Sequence, residues 1–369
     1  MTSRQQLARS LEKTRMDLEG LDLITRPPTG VRWFDYVLIF DTMLGNPKVH
    51  YMMINPLHPT KFFPIVNTMN MERLRNLVDY RVAVHHGYLY IIGGKDWSSN
   101  EYLTTMSRYN PTTCNWVAVA KMSTRRARFT VNILGGCIYV TGGEVKHGKV
   151  TNSVEAYDPV ANKWTEKRPL PKPRADHASC VFNRDTLFVS GGFGNVTKQM
   201  SDVFWQYNTK TDQWSDVLPH LWGLPCPKER HLMASYRDQL FIFSGVTTKG
   251  KSKEESMDDP VPHVFNINHR REHKRPWTKE VPVMFNVRSR AGMFVIGHRA
   301  YLVGGRNNKW GKPVPMIDCL HMRKKRWYET LSLGLDNLMS AQCVVLRVPE
   351  SNYEFSHLGI AMYDKWVLW

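Results

Sequence analysis

No stretch of the 369-residue chain holds about 18 consecutive apolar residues, so no membrane-spanning helix is expected. Its first ten residues, MTSRQQLARS, lack the apolar core of a secretory signal. Cysteine is scarce. The six residues Cys114, Cys137, Cys180, Cys226, Cys319 and Cys343 form no Cys-x-x-Cys pair, so the common zinc and dithiol motifs are absent. Cys137, Cys180, Cys319 and Cys343 fall in or beside strand-like stretches and read as reduced core residues of an intracellular chain. The triplet Asn195-Val196-Thr197 is then a chance glycosylation match. Phosphate-binding and dinucleotide loops are missing, as are HExxH and GxSxG. No enzymatic activity, cofactor or metal site is therefore expected. The pair His85-His86 adjoins the strand that starts at Tyr88 and reads as part of a strand turn.

Acidic residues are also short: 33 Asp and Glu stand against 50 Lys and Arg, a net charge of +17. Residues 1–30 supply only +1 of this, from five basic and four acidic side chains. The excess lies in the rest of the chain and favours an acidic protein, an anionic filament or nucleic acid as partner.

What the chain has in abundance is a repeat. The runs 88–94 (YLYIIGG), 137–143 (CIYVTGG) and 186–192 (TLFVSGG) are β-branched or aromatic strands ending in two glycines. Their second glycines, Gly94, Gly143 and Gly192, recur every 49 residues. Each is followed by a frame of Tyr, a polar turn and Trp: YNPTTCNW at 109–116, YDPVANKW at 157–164 and YNTKTDQW at 207–214. Such a frame reads as a hairpin between two strands. Four strands per period of about 50 residues signal a radial β repeat, in which each sheet covers its neighbour.

These motifs resemble the kelch repeat. Weaker copies lie at Phe241 to Gly245, with Phe265 and Trp277 as a lengthened hairpin, and at Tyr301 to Gly305, with Leu320 and Trp327. Residues 36–41 (YVLIFD) fall in phase without glycines, with Tyr51 and Phe62 or Phe63 as their aromatics. The expected fold is all-β: a six-bladed kelch β-propeller over 31–346, closed by a strand at 341–346 that returns to blade one. A short N-terminal helix at 4–19 and a linker fill 1–30; the tail 347–369 is expected to dock through Trp366 and Trp369 on the propeller or a partner. Helix, linker and ring together resemble the C-terminal part of a BTB-kelch (kelch-like) protein without its BTB domain, the helix then being the end of a BACK domain.

The resemblance implies a protein-interaction module that binds an acidic or phosphorylated segment at one mouth of the ring. It also implies a role in substrate recognition for a cullin-3 ubiquitin ligase, cullin-3 contact requiring the absent BTB region. Arginines that enter each blade, Arg75, Arg126, Arg174, Arg230 and Arg290, are the expected partner-binding set. Trp97, Phe193, Arg306 and Trp310 follow the glycines and join them. The competing readings are an actin-associated or assembly scaffold and, less favoured, charge-driven nucleic-acid binding. A cytoplasmic location is expected, with nuclear or cytoskeletal variants. Two polar insertions, 249–259 and 268–275, and the basic run 323–326 read as exposed loops and turns.

Overall fold

The glycine-ended runs each become the second strand of a four-stranded antiparallel sheet. In blade three the order is Thr130–Leu134, Cys137–Thr141, Val154–Asp158 and Lys163–Lys167. Blade two follows the same plan with Arg81–His85, Tyr88–Ile92, Met106–Asn110 and Asn115–Ala118, and blade four with Ala178–Phe182, Thr186–Ser190, Phe204–Asn208 and Gln213–Asp216. Leu232–Tyr236, Gln239–Phe243, His263–Asn266 and Trp277–Thr278 make blade five; Gly292–Ile296, Arg299–Val303, Met316–His321 and Arg326–Ser332 make blade six. The computed structural model describes residues 31–54, 66–194, 199–217, 223–248, 256–268, 276–352 and 354–355. The expected helix and linker, Phe62, Phe63, most of both insertions, Trp366 and Trp369 lie outside them.

Blade one is assembled from both ends of the described chain. Trp33–Asp41, Lys48–Met53 and Asn67–Asn70 are completed by Ala341–Pro349, which pairs with Trp33–Asp41 over nine residues. This closing strand runs three residues beyond the expected end at 346. The chain continues onto the propeller: Phe355 packs 5.1 Å from the rings of both Tyr36 and Tyr51, and the Asn352 amide donates to the carbonyl of Pro111 at 2.6 Å.

Six apolar clusters join the blades, each between two neighbours. One unites blades one and two, and others follow round to the cluster of Val37, Ile39, Tyr301 and Val303 that joins six back to one. The sheets therefore form a closed ring with no exposed inner edge. In the hairpin frames Tyr109, Tyr157 and Tyr207 stand opposite Trp116, Trp164 and Trp214, with ring centroids 5.0–5.3 Å apart. The irregular copies keep this register as Phe265 opposite Trp277 and Leu320 opposite Trp327.

The glycine pairs have a steric cause. A Cβ on Gly142 would lie 2.5 Å from the Arg174 carbonyl oxygen, and one on Gly143 would lie 2.8 Å from that of Ala127. The close approach lets the Gly143 amide donate to the Arg174 carbonyl of the next blade at 2.7 Å. Gly94 and Gly192 make the same bond to Arg126 and Lys228 at 2.9 and 2.7 Å. Blade one lacks the glycines, and there the Asp41 carboxylate accepts from the Met43 amide at 2.8 Å to turn the chain.

Candidate site at the mouth of the ring

The loops after the glycines and the segments that lead into each blade emerge on one face. They pair with each other there: Val78 with Lys95, Ala127 with Glu144, Ala175 with Phe193, Glu229 with Val246 and Ser289 with Arg306. In each leading segment, side chains two residues apart take opposite roles; a regular strand would put them on one face, and the left-handed backbone of the second residue turns it away.

The first role is structural. Arg126 is fully buried and donates from Nη1 to the carbonyl oxygens of Gly142 and Ser153 at 2.8 and 3.1 Å and from Nη2 to Glu155 at 2.5 Å. Arg288 repeats this with the carbonyls of Gly304 and Met316 and the Asp318 carboxylate, and Lys228 pairs with Asp259. Arg174, 6% exposed, lies over Trp205 at 5.2 Å. The expectation that Arg126 and Arg174 face a partner is thus overturned: both are turned into the blades, Arg126 holding the strand ends beside the glycines and Arg174 packing on Trp205. Phe193 is also buried, against Val150 and Ala175 and beneath the Arg128 guanidinium at 4.9 Å.

The second role lies two residues on, at Asp79, Arg128, Asp176, Arg230 and Arg290. All five adopt a left-handed backbone, with φ between 51° and 56°, a conformation that costs about 1–3 kcal/mol at a non-glycine residue and gathers at functional sites. Their amides form a circle of hydrogen bonds. Asp79 donates to Thr42 at 2.7 Å, Arg128 to Asp79 at 3.2 Å, Asp176 to Arg128 at 3.1 Å, Arg230 to Asp176 at 2.8 Å, Arg290 to Arg230 at 3.4 Å, and Ala341 to Arg290 at 3.0 Å. This circle rims a central channel of about 250 Å³, whose wall includes Arg81, His177, His231 and Cys343.

The rim charges are largely matched. Asp176 accepts from Arg128 Nε at 3.0 Å and Arg230 Nε at 2.7 Å, joining three blades. Arg128 also meets Glu144 at 2.6 Å, Arg230 meets Glu229 at 3.4 Å, and Arg290 meets Asp79 at 3.7 Å. Burial alone would raise the Asp176 carboxyl, but the guanidinium groups of Arg128, Arg230 and Arg290 hold it well below the carboxylate range. Burial lowers Arg290, with the like charge of Arg230 adding to the effect. Arg230 and Arg290 keep 26% and 20% of their side chains exposed. Arg128, Asp79 and Asp176 were legible only as a recurring position: the rim residues precede the second glycines Gly94, Gly143, Gly192, Gly245 and Gly305 by 15, 15, 16, 15 and 15 residues.

Among the other expected residues, Arg75 is exposed and paired with Glu72 at 2.8 Å, and Arg306 is half-buried. Trp97 and Trp310 are 73% and 66% exposed. Cys226, Asp259 and His263 bring three metal-ligating atoms within 4.8 Å of one another, yet the Lys228 ammonium already supplies the cation that Asp259 binds. All six cysteines are unpaired. His85 lies at the strand turn, its Nε2 2.8 Å from the Gly136 carbonyl oxygen of blade three. No helix among the described residues is long and apolar enough to cross a membrane.

A closed ring of four-stranded sheets with its inter-blade loops gathered round a channel mouth defines a β-propeller. The KLHDC2/KLHL20/DRC7 Kelch-repeats domain matches residues 128–345, well over half the chain, and the Kelch motif matches 77–123. The chain belongs to the kelch-repeat proteins, within the kelch-like family. It is 25% identical over 275 residues to Kelch-like protein 26 of Danio rerio, covering 73% of this chain and 42% of that protein. It is 27% identical over 227 residues to Kelch-like protein 36 of Mus musculus, covering 61% and 35%. The match thus spans less than half the length of these relatives. The solved structure of YjhT shares the fold with a TM-score of 0.61 at 14% identity, covering 78% of this chain and 95% of that one.

Proposed function

We propose that the propeller is a recognition module that takes an acidic or phosphorylated protein segment on the mouth face. The observation that carries this is the rim itself. Five strained backbone positions hold Arg230 and Arg290 part-exposed at the channel, with two exposed tryptophans on the surrounding loops. A guanidinium is suited to bidentate contact with carboxylate or phosphate. The test is affinity capture from nuclease-treated lysate, read by mass spectrometry, with the intact chain and an Arg230→Ala/Arg290→Ala variant. Discrete proteins captured by the first and lost by the second support the reading; an unchanged set sinks it. Substrate recognition for a cullin-3 ligase is the finer proposal that the family resemblance adds. It requires that a longer form of the chain carrying a BTB region co-precipitate cullin-3.

A second reading has its own support. The three rim arginines and Arg81 of the channel wall face four carboxylates, Asp79, Asp176, Glu144 and Glu229, so the excess positive charge lies elsewhere, for instance on exposed Lys163, Arg168 and Lys172 at and after the outer strand of blade three. A dispersed basic surface suits an acidic filament such as actin and, less well, nucleic acid. Co-sedimentation that collapses between low and physiological salt while ignoring the Arg230/Arg290 change would favour it.

A further inference from the structure

The channel rim is not the only chemistry on the mouth face. Nine large apolar residues are exposed among the described residues, and six of them stand on this face: Leu44, Trp97, Met257, Val283, Phe285 and Trp310. Their distribution is one-sided. Leu44 follows the second strand of blade one and Trp97 that of blade two; Met257 and Trp310 occupy the corresponding loops of blades five and six. Val283 and Phe285 lie on the connection between those two. Blades three and four contribute none among the described residues, and the blade-three loop exposes Lys146, His147 and Lys149 instead.

Neighbouring loops of the arc are tied together in two pairs. Asn308 of blade six donates from its amide and side chain to Asp258 of blade five at 2.6 and 2.5 Å, locking those two loops together. At the other end the Trp97 amide donates to the Asn76 carbonyl at 2.7 Å, and the Asn76 amide donates to the Gly45 carbonyl at 3.0 Å. An exposed Trp costs solubility, and two of them among six exposed apolar residues on one arc mark a contact surface rather than scatter. The charge between the apolar groups is most basic on the blade-six loop, which carries Arg306, Lys309 and Lys312 and no carboxylate. Lys309 Nζ lies 5.2 Å over the Trp310 ring, Lys95 Nζ lies 5.3 Å over Tyr102, and Lys312 is exposed. Of the carboxylates there, Asp258 is buried and held by Asn308, Asp96 accepts from the Ser98 amide at 2.8 Å in an exposed turn, and Glu101 of the blade-two loop is exposed and lies 3.8 Å from Arg125.

We infer that the apolar–basic arc over blades five, six, one and two reads the partner, and that the partner segment therefore combines large apolar side chains with acidic ones. This rests on the mouth face being the partner surface, and it names the half of that surface that selects. The channel arginines, matched by Asp79, Asp176, Glu144 and Glu229, then add orientation rather than selection.

The test is selection from a displayed library of random linear peptides against the full chain, followed by titration of resynthesised peptides. The expected winners carry both aromatic or aliphatic residues and Asp or Glu. Trp97→Ala and Trp310→Ala should each weaken them by about tenfold or more, whereas a Lys146→Ala/Lys149→Ala variant of blade three should not. Both tryptophans are surface residues, and unchanged thermal unfolding of the variants confirms that the fold persists. Purely acidic winners that ignore the tryptophan changes and are lost with Arg230→Ala/Arg290→Ala would overturn the arc while leaving the mouth as the partner surface. Winners insensitive to both sets of changes, or no enrichment over empty support, would overturn the arc; insensitivity to both would remove the mouth as well. Sedimentation decides one more alternative: a dimer of the intact chain that dissolves in Trp97→Ala/Trp310→Ala would make the arc a self-contact and end the proposal.

Discussion

Two residues separate a fully buried side chain from one at the channel rim. Arg126 and Arg128 belong to one sequence motif, yet the first is fully buried against Gly142, Ser153 and Glu155 and the second faces the channel rim. Removing one partner of a buried, hydrogen-bonded pair leaves an uncompensated charge, so Arg126→Ala should lower stability by roughly 3–5 kcal/mol. Arg290→Ala, which removes a 3.7 Å contact to Asp79 and one of three cations near Asp176, leaves Asp176 paired with Arg128 and Arg230 and should cost less than Arg126→Ala. Urea unfolding of the two variants checks the contrast, and near-equal losses would contradict the division of roles. His177 supplies a pH dependence at the same scale. Its Nε2 lies 3.1 Å from both Thr130 and Thr141 hydroxyls, and burial, followed by the Arg174 charge, pushes its pKa down to about 3. The unfolded chain takes up this proton near pH 6.5 while the folded chain stays neutral until about pH 3. The contribution is therefore complete above pH 6.5 and falls as pH drops through that window, by about 1.4 kcal/mol per unit. His177→Gln should flatten the stability curve between pH 6.5 and 4; an unchanged slope would assign the acid sensitivity elsewhere.

At the scale of the element, the strands and hairpins were legible because they depend on local pattern. Five of the six blades carry at least one glycine at the end of the second strand, and the Tyr–Trp frames fall in register wherever they occur. The lengthened hairpin of blade five changes the loop and leaves Phe265 opposite Trp277. The mouth was only half legible. Arginine content shows that basic residues recur there, whereas the choice between Arg126 and Arg128 is made by the left-handed backbone at Arg128 and by the position of Glu155 on another strand. Leu44, Val283 and Phe285 carry no motif at all, and their exposure depends on which neighbours fail to cover them. The glycines allow a sharper test. Gly143 has φ of +109° and no room for a Cβ, while Gly135, φ +58°, has no atom within 4 Å of one. Gly143→Ala should therefore cost roughly 3 kcal/mol or more, combining backbone strain with overpacking. Gly135→Ala should cost about 1–2 kcal/mol, the left-handed backbone penalty alone. Thermal unfolding of the pair measures the difference, and similar losses would mean that close blade packing is not what the glycines serve.

At the scale of the whole molecule, the ring is closed by a strand from the far end of the chain, and closure decides whether the blades unfold together. Its nine-residue register with Trp33–Asp41 is longer than the four- and five-residue registers of blade three. Phe355 adds a buried ring against Tyr36 and Tyr51 just beyond it. Phe355→Ala should cost roughly 3–5 kcal/mol by leaving a cavity there. The intact seam should not be the weak point, and the unpaired cysteines report on this directly. Cys343 lies in the closing strand and Cys180 in the inner strand of blade four; burial pushes both thiols up and suppresses the thiolate that reacts. Trapping with N-ethylmaleimide across a urea series, resolved by peptide mass spectrometry, should show the two becoming reactive together with the loss of tryptophan signal. Earlier labelling of Cys343 would mean that the ring opens first at its closure; in Phe355→Ala that order is expected, because the mutation weakens blade one and leaves blade four untouched.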